Sequence, residues 1–309
     1  MKILFCGTPD FAKTILEKIF NEFQDAELFV LSSPARKQGR GMTLTQPPVA
    51  SFALEHNLPL YQPETLKNDA FLPVLNEIRP DIAIVAAYGK ILPPYFIDFP
   101  RLGCMNVHAS LLPAYRGASP IQRAIWDGLD TTGVSIMQMD YGLDTGDVLL
   151  SESVEINGSD NTESLTQKLS LLGADLIGDA IRSANNNTLT PQKQNDAEAT
   201  YAAKILREDE ILKFCQTAKE LDCKIRALSP RPYANAILPD GSELKICVAR
   251  ITDNPAKMPG LVRTQKSHVF VSCADFELEL IRVKPQGKGE MDAVSLVNGR
   301  KLQDGDVLK

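Results

Sequence analysis

Histidine is scarce in this sequence, and clusters of metal-binding residues are missing. The 309 residues include three histidines, and the six cysteines are scattered along the chain without a C-x-x-C pair. This composition offers no metal-ligand spacing, so we expect no metal site. It also favours reduced, mostly buried thiols over disulfide bonds.

Long apolar runs are missing as well. No stretch approaches the roughly 20 apolar residues needed to cross a bilayer. The first apolar stretch, residues 2–6, is too short for a signal peptide. The turn after it lacks the G-x-G-x-x-G fingerprint, which disfavours a nicotinamide dehydrogenase. These absences predict a cytoplasmic protein with no membrane partner.

Charge is distributed unevenly along the chain. The net charge is −6, which argues weakly against a nucleic-acid partner. Residues 1–203 contain 15 Lys and Arg against 24 Asp and Glu, whereas residues 204–309 contain 18 against 15. The C-terminal third is therefore mildly basic, and this asymmetry permits polyanion binding.

The first half of the chain alternates strand patterns with helix patterns. The expected elements are strands at 2–6, 27–32, 81–87 and 103–108 and helices at 11–23 and 68–79. Continuous apolar strands separated by helices indicate an α/β, Rossmann-like domain with a parallel sheet covered on both faces. The domain would be completed by strands at 133–139 and 147–156 and a helix at 162–183.

The composition and the apolar pattern of the sequence change after residue 184. Residues 185–196 are polar and rich in residues that end helices, which predicts an interdomain linker. Residues 208–228 then show a helical pattern, and residues 233–283 show short alternating segments divided by turns. Such segments predict a small C-terminal β-barrel (OB-like), a type that often binds oligonucleotides, with a purely structural domain as the alternative. The expected domains are 1–184 and 205–309, with the linker at 185–204.

A long basic loop follows the second predicted strand. Residues 32–48 exceed the usual length of such a connection and carry Arg36, Lys37 and Arg40 without an acidic residue. Positive charge within an acidic domain predicts a loop that contacts phosphates. The alternative is a solvated, flexible loop.

Side chains able to perform acyl transfer occur at the end of one predicted strand. Asn106 and His108 lie two positions apart, so they face the same side of the strand. An amide can donate to a developing oxyanion, an imidazole can handle a proton, and a carboxylate can orient the imidazole. The expected carboxylate is Asp144, in a glycine-rich turn, with Asp140 and Asp147 as rivals.

Several motifs resemble those of the formyltetrahydrofolate-dependent formyltransferases, and the resemblance covers essentially the whole chain. The matching stretches are FCGTPDF at 5–11, AYGKILP at 87–93, NVHASLLP at 106–113, YRGASPIQ at 115–122 and MQMDYGLDTG at 137–146. The N-x-H-x-S-L-L-P core with a downstream D-x-G-D is shared by the wider superfamily. The basic loop and the small C-terminal domain resemble more closely the members that formylate methionyl initiator tRNA.

The resemblance implies transfer of a formyl group from 10-formyltetrahydrofolate to the amino group of methionyl initiator tRNA, by a monomer without a metal. It implies that Asn106, His108 and Asp144 are catalytic. It implies a folate site formed by Ser110, Leu111, Leu112, Pro113, Ile91, Leu92, Gln138, Met139 and Asp140. The acceptor end of the tRNA would be bound by Arg36, Lys37 and Arg40, and the C-terminal barrel would hold the tRNA body.

Two other classes of function remain open. The same three side chains would serve a formyltransferase acting on nucleotide amino sugars, or a hydrolase that releases formate. The basic loop favours tRNA over these. A Rossmann-like RNA-binding module with a vestigial pocket would need no catalysis, and the joint presence of the amide, the imidazole and the carboxylate disfavours it.

Overall fold

A computed structural model describes residues 1–38 and 42–309, which divide into two structural units. The first unit consists of Met1–Gly117, Thr132–Val154 and Thr166–Tyr201. The second unit consists of Ala118–Thr131, Glu155–Leu165 and Ala202–Lys309. Neither unit is continuous in sequence, because two short segments from the first two-thirds of the chain fold with the C-terminal third.

Strands and helices are interleaved through the first two-thirds of the chain. In order they are β1 (Lys2–Gly7), α1 (Asp10–Glu22), β2 (Glu27–Leu31), β3 (Arg36–Gln38), β4 (Thr43–Thr45), α2 (Pro48–Glu55), β5 (Leu60–Tyr61), α3 (Leu72–Ile78), β6 (Ile82–Ala86), α4 (Pro94–Ile97), β7 (Cys104–His108), β8 (Arg116–Gly117), α5 (Pro120–Trp126), β9 (Thr131–Gln138), β10 (Val148–Glu155), α6 (Thr162–Asn185) and β11 (Tyr201–Ala202).

The main sheet of the first unit has seven strands in the order β10-β9-β7-β6-β1-β2-β5. Strands β1, β2, β5, β6 and β7 pair in parallel, as expected from the Rossmann-like alternation. Strand β9 runs antiparallel to β7, so the sheet is mostly rather than wholly parallel. Parallel pairing needs a crossover that returns the chain to the same end of the sheet. The connection between β7 and β9 does not cross back to that end, so β9 runs in the opposite direction to β7.

Apolar periodicity positions the helices on this sheet. The stripe on α1 is buried at Phe11, Ile15 and Ile19, and β1 is buried over most of its length. Because β1 lies between β2 and β6, the strand order reverses there, and ligands of such sheets bind at the carboxyl ends of the strands nearby. His108 ends β7, directly beside β6.

Two predicted loops have more structure than their sequences indicated. Within residues 32–48, β3 and β4 pair as an antiparallel hairpin. The predicted linker folds onto the first unit, where Gln192 forms an antiparallel bridge with Val148. The polar composition of this segment reflects hydrogen bonding to the first unit as well as exposure to solvent.

The second unit is built on a six-stranded antiparallel sheet, which agrees with the predicted small barrel. Its C-terminal elements are α7 (Ala218–Leu228), β12 (Ala234–Ile237), β13 (Glu243–Pro255), β14 (Val262–Gln265), β15 (His268–Ser272), β16 (Phe276–Pro285), β17 (Met291–Asp292) and α8 (Val294–Asn298). The strands follow the order β12-β13-β16-β15-β14, and β17 pairs with β16. The core includes Leu221, Ile246 and Leu280.

The predicted helix at 208–228 is too long. A short 3-10 helix occupies Arg207–Glu210, and α7 begins only at Ala218. Thr217 and Glu220 form a capping box there, which satisfies the first free N–H groups and fixes the start of the helix.

All six cysteines are free thiols, and all except Cys215 are buried, in agreement with the sequence. Across the described ranges, no helix combines the length and apolar character that a bilayer crossing requires.

Candidate active site

His108 is buried at the carboxyl end of β7, with 6% of its surface exposed. Its Nε2 lies 3.0 Å from the carbonyl oxygen of Tyr115. Because a carbonyl can only accept a hydrogen bond, Nε2 carries a hydrogen and donates it there. Nδ1 is therefore the ring nitrogen left for chemistry with a carboxylate or a substrate.

Asp144 supplies a carboxylate close to His108 Nδ1. It follows β9 in a turn where its φ is +53°, and its Oδ2 accepts a hydrogen bond of 2.8 Å from the Gly117 N–H. The same Oδ2 lies 3.7 Å from His108 Nδ1. This separation suits an ion pair with a protonated ring and is longer than a hydrogen bond.

The rival carboxylate Asp140 is engaged elsewhere. It accepts hydrogen bonds from the Gly142 N–H at 3.0 Å and from the Thr145 hydroxyl at 2.7 Å. These bonds close the turn between residues 140 and 145. Asp140 therefore shapes the turn that presents Asp144.

Asn106 lies two residues before His108 on β7 and is half-buried. It pairs in register with Val85 of β6 and Met137 of β9, so its backbone is fixed on both sides. Strand alternation places its amide on the same face as the imidazole. The strand also carries Cys104, whose pKa burial raises to about 12, so this thiol stays protonated and is a poor nucleophile.

The other two histidines contact side chains outside the candidate site. His56 packs in tilted contacts against Phe20 and Phe52, with ring centroids 4.7 and 4.2 Å away. His268 lies on β15 in the second unit, where it pairs with Glu279. Neither of them belongs to the arrangement of His108.

The loop after β7 is held by hydrogen bonds of two serines, one in the loop and one on β9. The Ser110 hydroxyl is buried and donates to the Ala114 carbonyl at 2.6 Å. Ser135 of β9 donates to the Ser110 carbonyl at 2.8 Å and accepts from the Leu112 N–H at 3.0 Å. These bonds hold the loop that follows His108, in which Leu111, Leu112 and Pro113 are half-buried.

The remaining residues predicted to bind folate differ in how far their side chains are exposed. Ile91 is 93% exposed, whereas Leu92 packs into the core beside Phe96. The Gln138 amide donates to the Cys104 carbonyl at 3.1 Å, and Met139 is partly buried. Of these four residues, only Ile91 thus displays an apolar side chain almost fully to solvent.

The turn that carries Asp144 is also tied down at its outer edge. The Tyr141 hydroxyl donates to Asp98 Oδ2 at 2.7 Å, and this bond raises the pKa of the Tyr141 phenol.

Two of the three residues predicted to contact tRNA are described by the structure. Arg36 and Lys37 lie on β3, and both are exposed. Arg40 lies outside the described residues.

Two family models match the chain. The formyl transferase model matches residues 1–181, and the model of the formyl transferase C-terminal domain matches residues 204–301. The chain belongs to the formyl transferase family.

Curated relatives resemble this formyl transferase over its full length. The methionyl-tRNA formyltransferase of Caldicellulosiruptor saccharolyticus is 41% identical, with 100% of each chain covered. That of Pseudoalteromonas translucida is 40% identical, covering 97% of this chain and 94% of the other. Among solved structures, an N-formyltransferase from Helicobacter canadensis in complex with folinic acid and dTDP-3-aminofucose has a TM-score of 0.67 at 20% identity. It covers 91% of this chain and is itself covered to 98%, which supports the fold.

One pair of residues near the site of this formyl transferase carries no signal that would identify it from the sequence. Arg116 and Gln194 hydrogen-bond to each other, and Gln194 hydrogen-bonds to the turn that carries Asp144. Arg116 stood within a recognisable motif, but a buried arginine cannot be distinguished from an exposed one in a loop sequence. Gln194 lies in the polar segment predicted as a linker, and no local pattern distinguishes it from its neighbours.

Proposed function

We propose that this formyl transferase moves the formyl group of 10-formyltetrahydrofolate to the free amino group of methionyl initiator tRNA. The observation that carries the proposal is full-length identity of about 40% to methionyl-tRNA formyltransferases. The placement of Asn106, His108 and Asp144 at the carboxyl end of the sheet supports it. The product would serve translation initiation.

The reaction is an acyl transfer between two nitrogens. The lone pair of the amino group attacks the formyl carbon held on N10 of the folate, and the carbonyl π electrons move to the oxygen. The tetrahedral oxyanion then collapses and the bond from carbon to N10 breaks. The attacking amine loses a proton and N10 gains one, so the net charge does not change.

Asn106 and His108 would stabilise the oxyanion. The Asn106 amide donates a hydrogen bond to it, and one such donor is typically worth about 3 kcal/mol of barrier. Because His108 Nε2 is held by the Tyr115 carbonyl, a protonated His108 would donate through Nδ1. Asp144 stabilises that imidazolium from 3.7 Å and takes part in moving the amine's proton towards N10.

Substrate binding is assigned to the surrounding loops. For the folate we propose the predicted set, Ser110, Leu111, Leu112, Pro113, Ile91, Leu92, Gln138, Met139 and Asp140. Ser110 and Leu92 would contribute backbone groups, since their side chains are buried. For the acceptor end of the tRNA we propose Arg36, Lys37 and Arg40, with the basic C-terminal domain holding the tRNA body.

We propose that the enzyme is a cytoplasmic monomer that needs no metal. We also propose the functional boundaries 1–184 for the catalytic domain, 185–204 for the connecting segment and 205–309 for the tRNA-binding domain.

The test is direct formylation. The purified protein is incubated with methionyl initiator tRNA and 10-formyltetrahydrofolate, and N-formylmethionine is measured. Asn106→Ala and His108→Ala should each lower kcat about 100-fold or more, because each removes an oxyanion donor. Asn76→Ala, an exposed change on α3, is the control. Formylation of a nucleotide amino sugar without formylation of the tRNA would overturn the proposal.

A further inference from the structure

A buried arginine lies immediately before the residue that holds Asp144. Arg116 is 2% exposed, and the next residue, Gly117, donates its N–H to the Asp144 carboxylate. The Arg116 guanidinium donates from Nε and Nη2 to the side-chain oxygen of Gln194, at 3.0 and 2.8 Å. Nη2 also donates to Asp196 at 2.8 Å. A buried charge with several directed bonds fixes its partners strongly.

Gln194 passes this constraint to the turn that carries Asp144. Its amide nitrogen donates to the main-chain carbonyls of Asp144 at 2.9 Å and Gly146 at 2.6 Å. The backbone of Asp144 has a positive φ, a conformation that a non-glycine residue keeps only when its surroundings hold it. Both ends of the Gln194 side chain are thus used, the oxygen for Arg116 and the nitrogen for the turn.

The same segment also holds the loop that orients His108. The Thr200 hydroxyl accepts from the Tyr115 N–H at 2.8 Å, and the Thr200 carbonyl accepts from the Arg116 N–H at 2.9 Å. Tyr115 is the residue whose carbonyl receives His108 Nε2. Residues 194–200 therefore hydrogen-bond to two loops. One loop contains Tyr115, whose carbonyl accepts from His108, and the other contains the Asp144 carboxylate.

We propose that Gln194, fixed by Arg116, is a positioning residue for formyl transfer that holds the Asp144 carboxylate in place against His108. The proposal rests on the proposed function for its catalytic consequence. The segment after α6 is then part of the active-site architecture, although its sequence is typical of a linker. Gln194 touches no reacting atom and acts through Asp144.

The kinetic test compares Gln194→Leu with wild type in the full-length protein. Leucine keeps the approximate volume and removes both hydrogen-bonding ends. We expect kcat to fall about 10- to 100-fold through misplacement of Asp144, with both KM values within about threefold of wild type. Gln192→Leu is the matched control, because the Gln192 side chain is exposed in the same segment, and its kcat should equal that of wild type.

A double-mutant cycle distinguishes positioning from general support of the fold. If Gln194 acts through Asp144, then adding Gln194→Leu to Asp144→Ala should lower kcat by less than about threefold further. Full additivity of the two losses would overturn the proposal. So would unchanged kcat in Gln194→Leu.

An imidazole NMR spectrum gives a readout that needs no activity. With three histidines in the chain, each ring can be assigned separately. In Gln194→Leu, the His108 signals should move in the direction seen for Asp144→Ala, while the signals of His56 and His268 stay in place and report an intact fold. Unmoved His108 signals would overturn the proposal. If the wild-type protein does not formylate the tRNA, the proposed function fails, and this spectrum still decides whether Gln194 positions Asp144.

Discussion

Gly146 occupies a position where a side chain would collide with the main chain of β9. A Cβ built on it would lie 1.8 Å from the Gln138 carbonyl oxygen and 3.3 Å from the Asp140 nitrogen. Both neighbours are backbone atoms, so neither can rotate away. The absence of a side chain at Gly146 therefore allows the turn with Asp144 to lie close against the end of β9.

We predict that Gly146→Ala damages both stability and turnover. Forcing the backbone apart should cost about 1–3 kcal/mol of unfolding free energy and should lower kcat by displacing Asp144. Denaturant unfolding and steady-state kinetics measure the two effects. Gly158→Ala is the control, because a Cβ there has no neighbour within 4 Å, and it should change neither quantity. Wild-type stability in Gly146→Ala would contradict this account.

At the scale of elements, the hairpin formed by β3 and β4 gives the basic loop a defined base. Arg36 pairs with Thr45 and Lys37 with Leu44, so the two cations are carried on a paired strand. Both cations are exposed, as is Leu44. A paired strand restricts where these charges can lie, which reduces the entropy lost when they bind a phosphate.

We predict that the double variant Arg36→Ala/Lys37→Ala weakens use of tRNA selectively. The KM for tRNA should rise, while the KM for the folate stays nearly constant. The slope of log KM for tRNA against log salt should decrease by about 1 for each phosphate that the variant no longer binds. Steady-state kinetics over a salt series measure this, with Lys67→Ala, an exposed lysine of the same unit, as the control. A matching rise in folate KM would contradict the assignment.

Helix α5 belongs to the second unit although it precedes that unit's other elements by many residues. Its Trp126 packs against the core of this unit. The indole lies near two cations, with the Arg123 guanidinium 4.9 Å and the Lys224 ammonium 4.8 Å from its ring centre. Burial removes water from the Lys224 ammonium and lowers its pKa. Contacts with the indole ring and the Ile211 carbonyl replace part of that lost hydration.

We predict that Trp126→Ala destabilises the second unit by about 2–4 kcal/mol, because it removes apolar packing and both cation–π interactions. Trp126→Phe should recover much of this, since it keeps an aromatic face. The unfolding free energies of the two variants, from denaturant titration, provide the comparison. Equal losses for alanine and phenylalanine would show that the ring does not carry the effect.

At the scale of the whole molecule, charge is separated along the chain. The net charge is −6, while residues 204–309 hold 18 Lys and Arg against 15 Asp and Glu. An acidic protein that binds a polyanion must do so through local basic surfaces. Its affinity for the nucleic acid should therefore depend on salt more strongly than its affinity for a small cosubstrate.

We predict that raising the salt concentration from 50 to 200 mM, a range of about fourfold over which counterion release is readily measured, increases the KM for tRNA several-fold. The KM for 10-formyltetrahydrofolate should change much less over the same range. Measuring both constants in the same salt series tests this. A flat response of the tRNA constant would argue against binding through phosphates.

Local periodicity accounts for what the sequence by itself determined. The apolar runs of β1, β6 and β7, the stripe on α1 and the shared face of Asn106 and His108 follow from residue spacing within one element. The motifs then identified the family. None of these inferences required knowledge of contacts between distant segments.

The tertiary structure alone decided the relations between residues far apart in sequence. It brought Asp144, the carboxylate that the sequence favoured, to 3.7 Å from His108, made β9 antiparallel to β7, and brought Gln194 onto the turn of Asp144. It also placed α5 in the second unit. Such contacts depend on strand order and on how loops close, and the residues involved differ little in composition from ordinary loop residues. A polar segment resembles a linker until the groups it hydrogen-bonds are known, because hydrogen bonding to protein and to water select the same residue types.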